Sequence, residues 1–471
     1  MNNSEPLVWY GICVMIICGC FIAIPYWRGK TDLLTGWNVL LLGMGMWTGF
    51  GCLEVRYGNW PWAELQWFQP TRQEVKWYML NSGAFLAALL TFYYYNPLGK
   101  RIAARRLQKW PPDTGSTYIL VLAICAAIAF ASFVVPRTNF VGLVVAQLSH
   151  KAAVFACVFS FILWYRDRIN VAWLMAFIGA FVMAALFAMI VSGGRRLLLS
   201  VFLGPILCFY WIHARHWKPR NTLAALSVAA CAILVVSVVY SSFRWYSRGP
   251  SQQQRTVGAI VEQLRGLQHR EGLFQIIFAN KLNYFSQNNV HYAMLAKRYV
   301  DTGQLIPKPL NTLRFVLSYP IPRRVWEGKP KVLGIVVPHE LAHIYSTNWG
   351  LGPAGHAAYE GGIPAMILYA LLAAMGIRLM DDPLRLQPNN PFLISLHAAA
   401  LPHVAGFARG DFGIMTIETA ECFLFAIMLS VACRMLFGTQ PSNVRGRVKV
   451  SHATYGYLRQ GQRLGPPGVH R

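Results

Sequence analysis

The chain has 471 residues, 55% of them hydrophobic and only 13% charged, with a mean hydropathy of +0.38 and a formal net charge of +25. A composition this apolar excludes an ordinary water-soluble domain of this length and makes lipid the main solvent. Nucleic acid is not the expected partner for this charge. The cations flank apolar spans, where membrane lipids with anionic headgroups or phosphate-bearing substrates are the natural partners.

A bilayer core of about 30 Å calls for roughly 20 apolar residues per crossing helix, and runs of that kind recur from the start of the chain. The first, Leu7 to Pro25, follows MNNSEPL, which has no positive n-region, and no small-residue cleavage site follows it; it is expected to remain as a helix. Further spans are expected at Leu33 to Cys52, Tyr78 to Pro97, Tyr118 to Val135, Gly142 to Trp164, Val171 to Ser192, Leu197 to Ile212 and Leu223 to Phe243. Three more follow a long polar stretch: Ile363 to Met380, Phe392 to Phe407 and Phe412 to Phe437. The expected fold class is therefore all-α, a polytopic bundle of about eleven transmembrane helices. Residues 1–243 hold spans one to eight, 244–362 a large loop, 363–437 spans nine to eleven, and 438–471 a basic tail.

Short loops rich in Lys and Arg are expected on the cytoplasmic side. Arg28 and Lys30; Lys100, Arg101, Arg105, Arg106 and Lys109; Arg166 and Arg168; and Arg215, Lys218 and Arg220 follow spans one, three, five and seven, and the tail residues Arg445, Arg447 and Lys449 follow span eleven. The parity puts the N-terminus outside. It also gathers residues 192–196, 244–362 and 409–411 on the outer face. The long loop is too extended to be structureless, and Val257, Ile260, Val261, Leu264 and Leu267 have helical spacing, so short surface helices are expected there. All ten cysteines fall in or beside apolar runs, which predicts neither a disulfide framework nor a thiolate metal site.

Four motifs carry chemistry on that outer face. Ser192, Gly193, Gly194, Arg195 and Arg196 combine a flexible turn with two guanidiniums at a helix N-terminus, a pattern that suits phosphate and equally suits snorkelling anchors. The proline-punctuated stretch from Ser318 to Pro330 carries Arg323, Arg324 and Lys329 beside Trp326, itself a candidate interfacial anchor. GHAAYEGGIPAM at 355–366 brings His356, Tyr359 and Glu360 to the start of a span, and ARGDF at 408–412 brings Arg409.

Together these motifs resemble those of the O-antigen and exopolysaccharide repeat-unit polymerases, the Wzy-type family within the O-antigen polymerase and ligase superfamily. The resemblance implies a GT-C-like glycosyltransferase bundle in the bacterial inner membrane with its active site facing the periplasm. It implies an inverting, metal-independent transfer of the glycan on one undecaprenyl pyrophosphate to the terminal sugar hydroxyl of another lipid-linked unit, building O-antigen, capsule, exopolysaccharide or lipopolysaccharide chains without a cofactor. On this resemblance Arg195, Arg196, Arg323, Arg324, Lys329 and Arg409 would bind pyrophosphate, His356 or Glu360 would act as base, and Tyr359 and Trp326 would contact the acceptor. The partners implied are the undecaprenyl-pyrophosphate-linked glycans and a chain-length regulator. A histidine at 356, where a glutamate is expected in many polymerases, leaves an O-antigen ligase as the near alternative.

Two readings compete. His339, Glu340 and His343 satisfy H-E-x-x-H, the signature of a zinc metalloprotease, although Pro338 sits directly before the first histidine. Glu418 and Glu421, inside the last span, are costly there and suit either a lipid-linked sugar transporter's proton relay or a polar network joining helices.

Overall fold

The computed structural model describes residues 4–57, 68–95, 110–135, 140–188, 195–246, 289–323, 325–344 and 348–439. Apolar runs become helices where a side chain satisfies the first free N–H groups. Thr35 accepts from Asn38 N–H, Thr114 from Thr117, Asn170 from Ala172, Asn390 from Phe392 and Leu393, and Asp411 from Gly413 and Ile414.

The first helix, α1 (Glu5–Trp27), precedes a rod made of α2 (Gly36–Gly43), a π-helical stretch (Met44–Phe50) and α3 (Gly51–Tyr57). Then come α4 (Arg72–Tyr95), α5 (Gly115–Val134), α6 (Phe140–Arg166), α7 (Val171–Phe187), α8 (Arg195–Ile212) and α9 (Pro219–Tyr246). Each expected span thus overlaps a helix or a continuous helical rod over its described residues. The last three do so as well: α13 (Gly362–Leu386), α14 (Pro391–Gly406) and α15 (Phe412–Phe437). No strand occurs among the described residues. Six of these elements are long and apolar enough to cross a membrane, namely α1, the α2–α3 rod, α5, α6, α13 and α15, and three shorter apolar helices lie on α7, α8 and α14. Lipid is the only solvent that suits their surfaces: Ile16, Phe21 and Ile24 of α1, Met175 and Val182 of α7, and Leu424, Met428 and Met435 of α15 are exposed.

Helix α14 is the axis of the bundle. Nearly all of its side chains are buried, and it packs against α2, α6, α8 and α15. Its polar side chains Ser395, His397 and His403 are buried with the rest, which suits a place inside the bundle and not against lipid. Around it lie Trp37, Phe155, Phe159 and Trp211.

The described part of the long loop forms α10 (Asn289–Asp301), α11 (Asn311–Ser318), a second π-helical turn (Val336–Leu341) and α12 (Gly352–Glu360). The positions at 257–267 expected to form a surface helix lie outside the described residues, as do the basic clusters at 100–109 and 445–449. A second core ties this loop to the bundle, with Val75 and Tyr78 of α4 packed among Val290, Leu295, Leu333, Trp349 and Tyr359. Tyr292 stacks on Trp349 at 4.3 Å, and Arg298 forks onto Glu74 at 2.7 and 2.8 Å. Gly361 and Gly362, at φ of 115° and 67°, turn α12 into α13 in a conformation that side chains resist.

Candidate functional site

The loop helices gather at the N-terminal ends of α13 and α15, and the contacts there form two layers. The inner layer is a buried polar node. Glu360, at the end of α12, accepts hydrogen bonds from the Thr312 backbone N–H at 2.7 Å, the Thr312 hydroxyl at 2.6 Å and the Tyr369 hydroxyl at 2.5 Å. His356, one turn earlier, places Nδ1 2.7 Å from Glu360 Oε1, while its Nε2 accepts from the Phe412 N–H at 3.2 Å. Asp411 Oδ2 stands 3.8 Å from Nε2 and accepts from the Gly334 N–H at 3.0 Å. One node therefore locks α11, α12, α13, α15 and the 333–341 segment to each other.

Burial of His356 opposes its protonation, but the Asp411 and Glu360 carboxylates outweigh burial and hold its proton affinity above the ordinary value. For Glu360, burial pushes upward, and the bonds from His356, Thr312 and Tyr369 bring it below the ordinary carboxylate value. The Phe412 N–H favours the neutral Nδ1–H tautomer, and the two carboxylates favour imidazolium. The node accommodates both forms, since Nε2 faces a donor and an acceptor.

The outer layer is an open cavity of about 800 Å³. Phe315 of α11, Tyr319 just after it, Val332, Ile335, Ile414 and Ile417 supply its apolar and aromatic wall. Arg323, Lys331, His339, Glu340, His343 and Glu418 supply its charged and titratable groups. Arg323 is held at the rim by the carbonyls of Lys329 and Pro330, at 3.2 and 3.4 Å. Lys331 pairs with Glu340 at 2.6 Å, with both side chains about half exposed.

Of the residues singled out in the sequence, Arg323 faces this cavity and His356 and Glu360 do not. Those two are about 1% exposed and their polar atoms are engaged, which suits positioning rather than contact with substrate. Lys329 is also engaged. Its ammonium donates to the Tyr319 and Ile321 carbonyls, both at 2.8 Å, and sits over the Tyr319 ring. Desolvation, reinforced by Arg323, lowers its proton affinity. Tyr359 is buried in the second core, its hydroxyl pushed up to about 12 by burial and by Glu360 and Glu340. Trp326 is exposed. Arg195 is the first residue of α8, and Arg196 reaches Met415 on α15 through a gap left by Gly406. Arg409 is half-buried just before α15, where the Gly352 N–H bonds the neighbouring Gly410 carbonyl. Ser192, Gly193, Gly194 and Arg324 lie outside the described residues.

The H-E-x-x-H stretch does not form the expected helical face. His339 and Glu340 lie in the π-helical turn, and His343 follows in the left-handed conformation at φ 56°. The two imidazoles are therefore not related by one α-helical turn. Among the described residues no three His, Cys, Asp or Glu side chains are placed to hold a metal ion.

The sequence reading missed Lys151, Asp411, Thr312 and Tyr369. Lys151, 2% exposed on α6, bridges Glu418 at 3.0 Å and Glu421 at 2.6 Å. A cation in mid-span was a signal in itself. Asp411 carried the mark of an N-cap residue before an apolar run, whereas nothing local marked Thr312 or Tyr369. No family model, curated protein or solved structure matches the chain, so its function is to be read from this cavity and the charges around it.

Proposed function

We propose that the chain polymerises undecaprenyl-pyrophosphate-linked oligosaccharide units at the periplasmic face of a bacterial inner membrane, through an eleven-span bundle whose N-terminus is outside. The observation that carries this reading is the cavity, which joins cations to an apolar wall beside the membrane-length helix α15. A polyprenyl pyrophosphate has the same two-part chemistry. Its lipid would lie along Phe315, Ile414 and Ile417 and its phosphates against Arg323 and Lys331. An exposed pair such as Lys331–Glu340 is worth little, so an incoming phosphate competes for Lys331 at small cost.

In the reaction the acceptor hydroxyl attacks the anomeric carbon, the carbon–oxygen bond to pyrophosphate breaks, and the cations stabilise the anion that leaves. His356 and Glu360 fix the elements that bear the cavity. Arg196 and Arg409, at the start of α8 and just before α15, would add further phosphate contacts.

The test is purified full-length protein with lipid-linked oligosaccharides extracted from source cells deleted for this gene. Longer lipid-linked chains are expected. Transfer only to a different acceptor, such as lipid A core, would make the chain a ligase, and no transfer would refute the proposal. Cysteine labelling in intact cells is expected to reach position 300 from outside and positions 105 and 450 only after permeabilisation.

A further inference from the structure

The proposed transfer needs a proton acceptor, and the pair suggested by sequence, His356 and Glu360, is sealed away from the cavity. Glu418 is not. It lines the cavity, with its side chain 30% exposed, while its carboxylate is held from behind by Lys151. We infer that Glu418 is the general base of the proposed reaction, drawing its capacity from the Lys151–Glu418–Glu421 triad; the inference rests on the polymerase reading.

The charge count supports this. One ammonium faces two carboxylates, so the triad carries one negative charge in a low-dielectric interior. Of the two carboxylates Glu418 is the more exposed, 30% against 15%.

A second observation points to the same place. His403, on the neighbouring α14, is buried with no hydrogen-bond partner on either ring nitrogen, and its Nε2 stands 3.9 Å from Glu418 Oε2. His150, next to Lys151, likewise lacks a partner on both nitrogens. Buried imidazoles are seldom left unpaired, and Glu418 is the carboxylate that stands beside His403. The other titratable groups are Arg323, Lys331, His339, Glu340 and His343 across the cavity, Cys422 beside the triad, Arg196 on α8, through Met415, and Tyr319, whose hydroxyl accepts from Gln147 at 2.6 Å.

The step balances. The acceptor O–H bond breaks and its proton goes to Glu418, the oxygen pair forms the new bond to the anomeric carbon, and the pair of the broken carbon–oxygen bond leaves on pyrophosphate. The proton on Glu418 returns to water through the open cavity.

Initial rates of chain extension are to be measured for full-length wild type, Glu418→Ala, Glu418→Gln and Glu421→Ala, with size-exclusion profiles as the folding control. Loss of a general base costs on the order of 100-fold or more, so both Glu418 variants are expected to fall by that factor. Formate, a small carboxylate that fits the space left by the side chain, is expected to restore Glu418→Ala in a concentration-dependent way and to leave Glu418→Gln and Glu421→Ala unchanged. A purely structural ion pair gives no such rescue. Extension by Glu418→Ala within a few-fold of wild type, or loss without formate rescue, overturns the base assignment and leaves the polymerase reading standing. Absence of extension by the wild type overturns both.

Discussion

Glu360→Gln is the sharpest probe of the inner layer, because it keeps shape and removes only charge and acceptor capacity. The carboxylate receives two donors on each oxygen: the Thr312 N–H and Tyr369 O–H on Oε2, and the Thr312 O–H and His356 Nδ1 on Oε1. An amide has one acceptor oxygen. With its NH₂ at the Oε2 position it opposes the Thr312 N–H, which cannot rotate away. With NH₂ at Oε1 it opposes the His356 Nδ1–H, and moving that proton to Nε2 sets it against the Phe412 N–H. Either flip leaves a buried donor facing a donor, at about 1–3 kcal/mol, and the lost charge on a buried pair brings the total to about 3–5 kcal/mol. Denaturant unfolding of the full chain in mixed micelles, followed by tryptophan fluorescence, measures it. The wild-type pH profile carries the same signature. The contribution of His356, raised above 6.5, is complete below that value and lost as pH rises through its folded-state value. That of Glu360, lowered from 4.5, is complete above 4.5 and lost as pH falls through its folded-state value. The node therefore stabilises most between the two ordinary values and weakens toward alkaline pH, and Glu360→Gln flattens both limbs. A variant within about 0.5 kcal/mol of wild type, the range of an ordinary surface change, with an unchanged pH profile, would refute the reasoning.

Arg323→Ala is expected to reduce the initial extension rate by about 100- to 1,000-fold, as removal of an oxyanion donor does, and Arg323→Lys to recover little because the planar fork is lost. Glu340→Ala is expected to keep most of the rate and extension to persist in EDTA, since His343 breaks the metal-binding face; a dead Glu340→Ala with one zinc per chain by elemental analysis would restore the hydrolase reading. Gly350→Ala is expected to lose about 1–3 kcal/mol in the same unfolding assay, because its Cβ would collide with the Arg409 carbonyl oxygen, a backbone atom with nowhere to go.

The helices were legible because lipid imposes one rule, that backbone groups must be satisfied within the segment, and a run such as Phe412 to Phe437 has only one way to meet it. Asp411 even supplied the cap. Partnerships between segments were not legible. That Glu360 meets Thr312, 48 positions earlier, follows from α11 and α12 packing on each other and on α15, and that Lys151 meets Glu418, 267 positions later, from α6 and α15 both packing on α14; neither leaves a trace in local spacing. The motif at 339–343 misled for a related reason. Its spacing assumes α-helical geometry, and the segment following Val332 instead winds as a π turn anchored by the Gly334 bond to Asp411.

Charge type alone also overstated how many cations can serve a ligand. Lys329 spends its ammonium on two carbonyls and a ring, Arg298 on Glu74 and the Gln69 carbonyl, and Lys151 on two carboxylates. Each is folded into the wall it stabilises. Arg323 gives two of its five N–H groups to long backbone bonds, and Lys331 has a single exposed partner, so these two keep capacity for an anion. Both stand on the loop segment, whereas Glu418, backed by a triad with one surplus negative charge, stands on α15. The cavity therefore sets its two available cations on the loop segment, with Glu340 beside them, and on α15 a carboxylate that neither of them pairs. A glycosyl transfer that expels an anion and releases a proton requires those two groups apart: a base paired directly with the phosphate-binding arginine would be neutralised by it, and the arginine by the base.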